Sequence, residues 1–545
     1  MKEGQNSGTH NRLGIIVSGS LTRGVEAKLD SSVSVEDIAV GRYVAIEGEK
    51  RRFFGMITDV SLETVDPRAM LSPPDVSDPF IAQVVVGTAT YGKIRVLPML
   101  TMGGDAASLL EGPQPAKTVP PHFSEVRLAS QRDVELVFGA EDEKRFYVGT
   151  PLDMETKVCL DVAQFVKRSN GVFGKSGTGK TFLTRLLLIG ILQKGVAVNL
   201  VFDMHNEYGW EGRSEKGYRV KGLKQLFPSK VAIFALDEES SRRRGVSTDF
   251  VVRIGYDEIE PEDIELLRQT LNLTEAATQA VYQLRREFGD KKWLETVLSL
   301  SDEDSKQFTS RFNIHDSTYR NLRRGLENLR RFPFLVPRAP DDSVRCILEY
   351  LERGINVILE FGRYDDFAAY ILVANLLSRR IYAKYREKAE SELGGNVAPS
   401  QPLVITIEEA HRFLNPEVSA RAIFGRIARE MRKYNVTLLV VDQRPSGIDD
   451  EVISQLGTKV TCLLDDERDI DSVLAGVSGK HELKSVLSKL ETKQQALIFG
   501  YAVPMPVVIK IREYGSAESY KQLGFLEAAE LKRKVEKDME DLWGP

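Results

Sequence analysis

Cysteine and tryptophan are scarce in this chain. Its 545 residues include three of each. Cys159, Cys346 and Cys462 lie far apart and form no C-x-x-C pair. This argues against a disulfide framework or a cysteine-based zinc site, and it favours a reducing compartment.

Long hydrophobic runs are also missing. The best candidate for a membrane span, Leu183 to Leu192, is interrupted by Arg185 and is too short to cross a bilayer. The first eight residues contain no apolar targeting core. We therefore expect a cytoplasmic protein with no membrane association.

The chain has no excess of positive charge of the kind that would indicate binding to a polyanion. Lysine and arginine total 74 and aspartate and glutamate 79, for a net charge of −5. If this protein binds nucleic acid, its basic residues must be concentrated on one surface, such as the lining of a pore. The length predicts two or three domains.

A complete G-x-x-x-x-G-K-[ST] loop follows an apolar run and precedes a segment of helix-forming composition. That strand–loop–helix context is typical of a phosphate-binding P-loop. Its glycines let backbone N–H groups approach a triphosphate, and the helix N-terminus adds partial positive charge. The predicted nucleotide-binding residues are Gly174, Lys175, Ser176, Gly177, Thr178, Gly179, Lys180 and Thr181. Lys180 would reach the β- and γ-phosphates of ATP, and Thr181 would bind Mg²⁺.

Two adjacent carboxylates end a second apolar run, Leu403–Ile407. In P-loop ATPases such a pair forms the Walker B site. We expect Glu408 to steady Mg²⁺ and Glu409 to act as the general base on the attacking water. An aspartate is usual at the first position, so Glu408 departs from the common pattern. His411 is assigned no chemistry.

Further polar candidates follow other apolar runs. Gln443 is the predicted sensor of the γ-phosphate; the alternative is a turn-forming residue. Asp203 or Glu207 could face the nucleotide or a polymer substrate, whereas the alternative for Asp203 is capping of a helix.

A basic helix lies between the apolar runs that end at Ile407 and Val441. Arg426, Arg429 and Arg432 share one helical face. They predict an arginine finger supplied to a neighbouring subunit, with Arg429 as first candidate and Arg432 as second. The alternative is a solvated charged face.

The pattern of elements predicts an α/β fold: a P-loop NTPase core with a helical insertion, preceded by a small N-terminal antiparallel β-barrel or sandwich. The expected organisation is a disordered tail (1–12), the barrel (13–111), a Pro-rich linker (112–146), the ATPase core (147–222 and 355–515), the helical insertion (223–354) and a C-terminal helix (516–545).

The motif order resembles the HerA family of the FtsK–HerA superfamily. A β-rich start precedes G-K-S-G-T-G-K-T, and D-M-H-N-E-Y, I-E-E-A-H-R-F, R-E-M-R-K-Y-N-V and V-D-Q-R-P-S follow in that order. The similarity covers about 13–512. Glu408, and Asp442 where a small residue is common, depart from the family pattern.

The resemblance implies a hexameric DNA translocase or helicase with a RecA-like core and an N-terminal β-barrel. Its barrel would be the HAS-barrel-like module that staples the hexamer, ATP and Mg²⁺ would bind between subunits, and double-stranded DNA would occupy the central channel. The implied partner is a NurA-like nuclease in DNA end processing or a sirtuin-type effector in antiphage defence. Arg219, Lys221 and Lys224 are candidate channel residues.

Two other functions stay open at this point. One is an ATP-dependent scaffold that assembles and activates a nuclease or NAD hydrolase. The other is a secretion or conjugation motor of the same superfamily, although such motors often carry membrane segments. A DEAH-type helicase fits poorly, because no second RecA-like domain is evident.

Overall fold

The computed structural model describes residues 12–65, 77, 85, 90–213, 219–364, 366–393, 400–419, 422–430, 433–477, 479–491 and 494–525. The predicted tail therefore lies outside the described residues except for Arg12, which begins the first strand. Segment 81–89 of the predicted barrel lies outside them except for Val85, and so does the predicted C-terminal helix beyond residue 525.

The N-terminal strands close into a barrel, as predicted. Strand order is β2-β1-β7-β3-β4-β5, and β2 pairs with β5 to complete a ring of six strands, while β6 extends from β5. Buried and partly exposed residues alternate along β2, as expected for a strand with one face on a core. The strands are β1 (Arg12–Ser20), β2 (Gly24–Leu29), β3 (Tyr43–Glu47), β4 (Arg51–Thr64), β5 (Thr90–Gly103), β6 (Gln114–Pro115) and β7 (Glu125–Leu128).

Strand β7 corrects the predicted linker. It lies between β1 and β3 and pairs antiparallel with both, so this part of 112–146 belongs to the barrel. Its arginine, Arg127, is satisfied by ion pairs with Glu47 and Asp133. A four-residue strand with charged residues at alternate positions gives little hydrophobic signal, which is why the sequence concealed it.

A sheet of 12 strands forms the core, in the order β15-β14-β18-β11-β19-β20-β10-β21-β22-β23-β8-β9. In this spatial order, successive strands from β15 to β21 pair in parallel. Strands β22, β23, β8 and β9 then continue the sheet in antiparallel pairs. Their bounds are β8 (Arg145–Thr150), β9 (Val158–Asp161), β10 (Asn170–Phe173), β11 (Val198–Asp203), β14 (Val231–Ala235), β15 (Phe250–Val251), β18 (Asn356–Glu360), β19 (Leu403–Glu408), β20 (Val436–Asp442), β21 (Thr458–Thr461), β22 (Gln495–Gly500) and β23 (Val507–Ile511).

Two short strand pairs lie outside this sheet, and helices cover it. The pairs are β12 (Gly212–Arg213) with β13 (Arg219–Val220), and β16 (Ile254–Gly255) with β17 (Leu335–Val336). The helices are α1 (Ala106–Glu111), α2 (Gln131–Phe138), α3 (Val162–Phe165), α4 (Lys180–Lys194), α5 (Leu223–Leu226), α6 (Glu238–Arg244), α7 (Pro261–Leu266), α8 (Glu275–Phe288), α9 (Trp293–Ser299), α10 (Asp302–Arg311), α11 (Asp316–Glu327), α12 (Ser343–Glu352), α13 (Phe367–Leu393), α14 (His411–Leu414), α15 (Ile423–Glu430), α16 (Asp450–Gln455), α17 (Glu467–Val473), α18 (Lys480–Leu487) and α19 (Ala517–Gln522). Within the described residues, no helix is both long and apolar enough to cross a bilayer.

The predicted helical insertion is only partly helical. Strands β14 and β15 lie inside 223–354 yet belong to the core sheet, where β14 pairs with β18. All five residues of β14 are buried, so the strand has the apolar composition of a central parallel strand. The consecutive helices α7 to α11 carry the insertion proper.

Barrel and core share one hydrophobic cluster, which includes Tyr43 and Phe54 of the barrel and Phe146 of the core. The Tyr43 hydroxyl donates to the carbonyl of Pro506 at 3.2 Å and accepts from the Val508 N–H at 2.9 Å. The two domains are therefore joined by both apolar and polar contacts.

Candidate active site

Three core strands bring the predicted site residues to one edge of the sheet. β20 lies between β10 and β19, with Phe173 beside Asp442 and Glu408 beside Val441. Because ligands in parallel sheets bind beyond the carboxyl ends of the strands, this edge is the expected site. The P-loop, both Walker B carboxylates and Gln443 all start from it.

The loop between β10 and α4 has a backbone that requires glycine at several positions. Gly174, Gly177 and Gly179 have φ values of 154°, 79° and 91°. A Cβ on Gly174 would lie 2.8 Å from the side chains of Cys462 and Thr178. The loop therefore combines left-handed turns with close packing, the conformation that exposes N–H groups to a phosphate.

Lys180 lies beneath this loop, and its ammonium Nζ donates to the carbonyl of Lys175 at 2.9 Å. Burial lowers the pKa of Lys180, while the nearby Cys462, Glu409, Asp442 and Glu408 act in the opposite direction. This cation is thus surrounded by the acids of the neighbouring strands, where a triphosphate would compete for it.

The remaining loop residues form its rim. Lys175 pairs with Asp465 at 2.8 Å, and the Thr178 hydroxyl donates to the Lys175 carbonyl at 2.8 Å. Ser176 and Gly177 are exposed, and Thr181 is half-buried in the first turn of α4.

Glu408 is buried and held by two tyrosines. The Tyr208 hydroxyl donates to Oε1 at 2.8 Å, and the Tyr370 hydroxyl accepts from the Glu408 N–H at 3.0 Å. Burial, followed by the nearby Asp203, raises the pKa of Glu408 to about 8. Sequence reasoning missed both tyrosines, since they come from distant elements and no local spacing links them to Glu408.

The second oxygen of Glu408, Oε2, is buried and has no hydrogen-bond partner among the described residues. No group of three or more His, Cys, Asp or Glu side chains in that part could hold a metal. A nucleotide-associated Mg²⁺ needs only one or two protein oxygens beside phosphate and water, so the residues present fit it.

Glu409 and Gln443 meet across the two strand ends. The Gln443 amide Nε2 donates to Glu409 Oε2 at 3.3 Å, and Glu409 has a left-handed backbone with φ of 48°. A predicted base and a predicted sensor are therefore in contact. The structure also places His411 here, with Nδ1 3.0 Å from Asp442 Oδ2.

The first finger candidate is bound within its own chain. Arg429, on α15, donates to the carbonyls of Gly425 and Ser419, each at 3.0 Å, and lies 3.5 Å from Glu451. Arg432 lies outside the described residues. A finger acting on a neighbouring subunit therefore stays a prediction, and Arg429 would have to exchange these bonds to act as one.

Asp203 caps no helix, because the described residues that follow β11 form a turn. Its two oxygens accept from the N–H groups of Glu207 and Tyr208, at 2.7 and 2.8 Å. This carboxylate fixes the turn after β11 and thereby the position of Tyr208, which holds Glu408.

The candidate channel residues differ in how exposed their side chains are. Lys224 is tied to the Val231 carbonyl at 2.8 Å and to Asp249 at 3.1 Å. The side chain of Arg219 is 80% exposed and pairs with Glu211 at 3.3 Å. Arg219 is thus the more accessible cation of the two.

Comparisons with known proteins agree with this architecture. The family model "Helicase HerA, central domain" matches residues 146–381, and the HAS barrel domain model matches residues 13–105.

Relatives named "DNA double-strand break repair helicase HerA" match most of the chain. The Sulfurisphaera tokodaii protein is 24% identical over 527 residues, covering 92% of this chain and 93% of its own. The Pyrococcus furiosus protein is 25% identical over 421 residues, covering 70% and 74%.

Among solved structures, VirB4 of Thermoanaerobacter pseudethanolicus matches with 14% identity and a TM-score of 0.44, covering 70% of this chain and 100% of its own. Plasmid coupling protein TrwB in complex with ADP and Mg²⁺ matches with 15% identity and a TM-score of 0.43, covering 72% and 99%. Both domains and most of the length of this chain are therefore similar to the HerA helicases.

Proposed function

We propose that this protein is an ATP-driven motor that assembles as a homohexameric ring and moves double-stranded DNA through its central channel. The observation that carries the proposal is the sheet edge at which a complete P-loop meets Glu408, Glu409 and Gln443. The names of the relatives, which describe DNA repair helicases, support DNA as the polymer.

Each residue at this edge has a proposed role in ATP hydrolysis. The P-loop N–H groups and Lys180 hold the phosphates, which replace the Lys175 carbonyl as the partner of the ammonium. Glu409 takes a proton from the attacking water, and Gln443 orients that water or reports the loss of the γ-phosphate. Because Gln443 contacts Glu409 at 3.3 Å, a displacement of one side chain would also displace the other.

Thr181 and Glu408 would hold Mg²⁺, which neutralises phosphate charge when it is bound. The unpartnered Oε2 of Glu408 supports this role. Burial raises the pKa of Glu408 to about 8, and a nearby Mg²⁺ would favour the charged carboxylate instead.

A ring reconciles DNA binding with the acidic balance of the chain. The net charge is −5, so one subunit in isolation would not hold a polyanion strongly. Cations that face inward around a closed channel give a sequence-independent, salt-sensitive hold on phosphates. In such a ring Arg429 or Arg432 would complete the ATP site of the adjacent subunit.

The motor is proposed to work in the cytoplasm with a partner enzyme, either a nuclease that processes DNA ends or an effector in phage defence. A scaffold that only activates such a partner, and a secretion or conjugation motor, are the alternatives. They differ in what stimulates ATP turnover.

Titration of linear duplex DNA into an ATP hydrolysis assay tests the proposal, with Glu409→Gln as the hydrolysis-deficient control. We expect duplex DNA to raise turnover several-fold and high salt to reverse the effect. Turnover that responds only to a protein partner would contradict the translocase and support the scaffold.

A further inference from the structure

The backbone of Glu409 is strained at the point where chemistry is proposed. Its φ of 48° lies in the left-handed region, which side chains other than glycine seldom occupy. Such strain persists only where surrounding contacts hold it. The residues that supply these contacts are therefore of functional interest.

One buried carboxylate binds the backbone beside the proposed base and sensor, at His411 and at Arg444. Asp442 ends β20 with its side chain fully buried. Its Oδ2 accepts from the His411 N–H at 2.6 Å and from the ring at Nδ1 at 3.0 Å. Its Oδ1 accepts from the Arg444 N–H at 2.6 Å.

These bonds fasten two loops to a single side chain. His411 follows Glu409 by two residues, and Arg444 follows Gln443. Fixing both backbones on the two oxygens of Asp442 sets where the proposed base and sensor lie relative to each other. The ring of His411 completes the link, because Nδ1 also lies 3.7 Å from Glu409 Oε2.

We propose that Asp442 and His411 form a positioning pair that holds Glu409 in its left-handed conformation and keeps it in register with Gln443. Neither residue acts on the nucleotide. This inference rests on the proposed role of Glu409 as general base.

The hydrogen bonds also argue against two other roles for Asp442. Both of its oxygens are already engaged by N–H donors, so it is not a free base. Asp442 also does more than fill space in the core. All residues of β20 are buried, and a buried carboxylate costs free energy unless it is hydrogen-bonded. The energetic reason to place a carboxylate at this position is the pair of loops that it joins.

The test compares Asp442→Asn with the matched control Asp342→Asn, which makes the same change at the exposed N-cap of α12. An asparagine would keep an acceptor oxygen towards one loop but place an NH₂ donor against the N–H of the other, so one of the two bonds would be lost. In nucleotide-free protein we expect faster amide hydrogen exchange in peptides covering 403–414 and 436–447. Affinity for a fluorescent ATP analogue should change less than about threefold, because the P-loop is untouched, while kcat should fall by about 100-fold, the usual effect of a misplaced catalytic group.

Variants of His411 keep the test decisive if Asp442→Asn does not fold. His411→Ala removes the ring link, whereas His411→Asn keeps an N–H donor near Asp442, so we expect His411→Asn to retain more turnover. The kcat of a double variant, His411→Ala with Asp442→Asn, should be no lower than that of the more impaired single variant, because both changes break the same link.

Two results would overturn the proposal. One is unchanged exchange and unchanged kcat in both Asp442→Asn and His411→Ala. The other is a loss of kcat accompanied by an equal loss of nucleotide affinity and a lower melting temperature, as expected of a merely structural residue. Normal turnover in Glu409→Gln would instead remove Glu409 as the base, while the exchange measurement would still report on the pair.

Discussion

At the scale of single residues, Glu408 has an unusual protonation equilibrium. Its folded-state pKa of about 8 lies above the ordinary glutamate value because the side chain is buried beside Asp203. The stability that this group contributes is complete below the unfolded pKa and is lost as pH rises through about 8. At neutral pH the buried carboxyl of Glu408 therefore favours its protonated form.

The Glu408→Gln substitution should remove the loss of folding stability at high pH. In nucleotide-free protein without Mg²⁺, we expect the variant to melt higher than the wild type at pH 8.5 and nearly equally at pH 5. Thermal melting across this range is the measurement, and Glu135→Gln, on the exposed face of α2, is the control. A constant difference between variant and wild type at all pH values would contradict the raised pKa.

Lys180 is the residue on which phosphate binding depends most. Lys180→Ala should weaken binding of ATP by about 100-fold, the scale of losing charge-assisted hydrogen bonds to phosphate. Lys194→Ala, at the other end of α4, is the matched control and should bind normally. Fluorescence titration with an ATP analogue measures both, and an unchanged affinity in Lys180→Ala would place the triphosphate elsewhere.

At the scale of elements, the junction between barrel and core depends on Tyr43. Tyr43→Phe removes its two buried hydrogen bonds, to Pro506 and Val508. Leaving those backbone groups unpaired should cost about 1–3 kcal/mol. We expect a lower melting temperature, whereas Tyr282→Phe, which loses a bond near the surface to Glu265, should change little. Equal effects would mean that Tyr43 is not a docking residue.

The elements that could be predicted are those with a local signal. The P-loop and the strand before Glu408 combine apolar runs with fixed polar spacing, and the structure brings them together. Strand β7 gave no such signal, because its pairing partners β1 and β3 lie far away in the chain and its charges are neutralised by ion pairs. Strand β14 has a readable apolar run, but it was assigned to the helical insertion that surrounds it.

The site residues also divide into those with a local sequence signal and those without one. Glu408, Glu409 and Gln443 follow strands and could be placed by rule. The hydroxyls of Tyr208 and Tyr370, which hold Glu408, come from 200 and 38 residues away. Only the folded topology brings such partners together, so no pattern in the sequence could have named them.

At the scale of the whole molecule, subunits must cooperate if Arg429 is a finger in trans. Arg429→Ala should assemble normally but hydrolyse ATP slowly, by roughly the 1,000-fold or more that such fingers contribute. Mixing it with Lys180→Ala subunits should restore some turnover, because mixed interfaces combine an intact ATP site with an intact arginine. Mixed-ring hydrolysis is the measurement.

The control for that experiment mixes Lys180→Ala with Glu409→Gln subunits. Both changes damage the site within the same subunit, so no interface is complete and turnover should stay low. No recovery in the first mixture would mean that Arg429 serves its own chain, where it already binds Ser419 and Gly425. Recovery in the control would mean that Lys180 and Glu409 do not act in the same subunit's site.

The central claim is that ATP hydrolysis drives this protein along duplex DNA. Displacement of a labelled third strand from a linear duplex, followed over time in the presence of ATP, tests it most directly. We predict displacement by the wild-type protein and none by Glu409→Gln. Hydrolysis of ATP at full rate without displacement of the third strand would contradict the account.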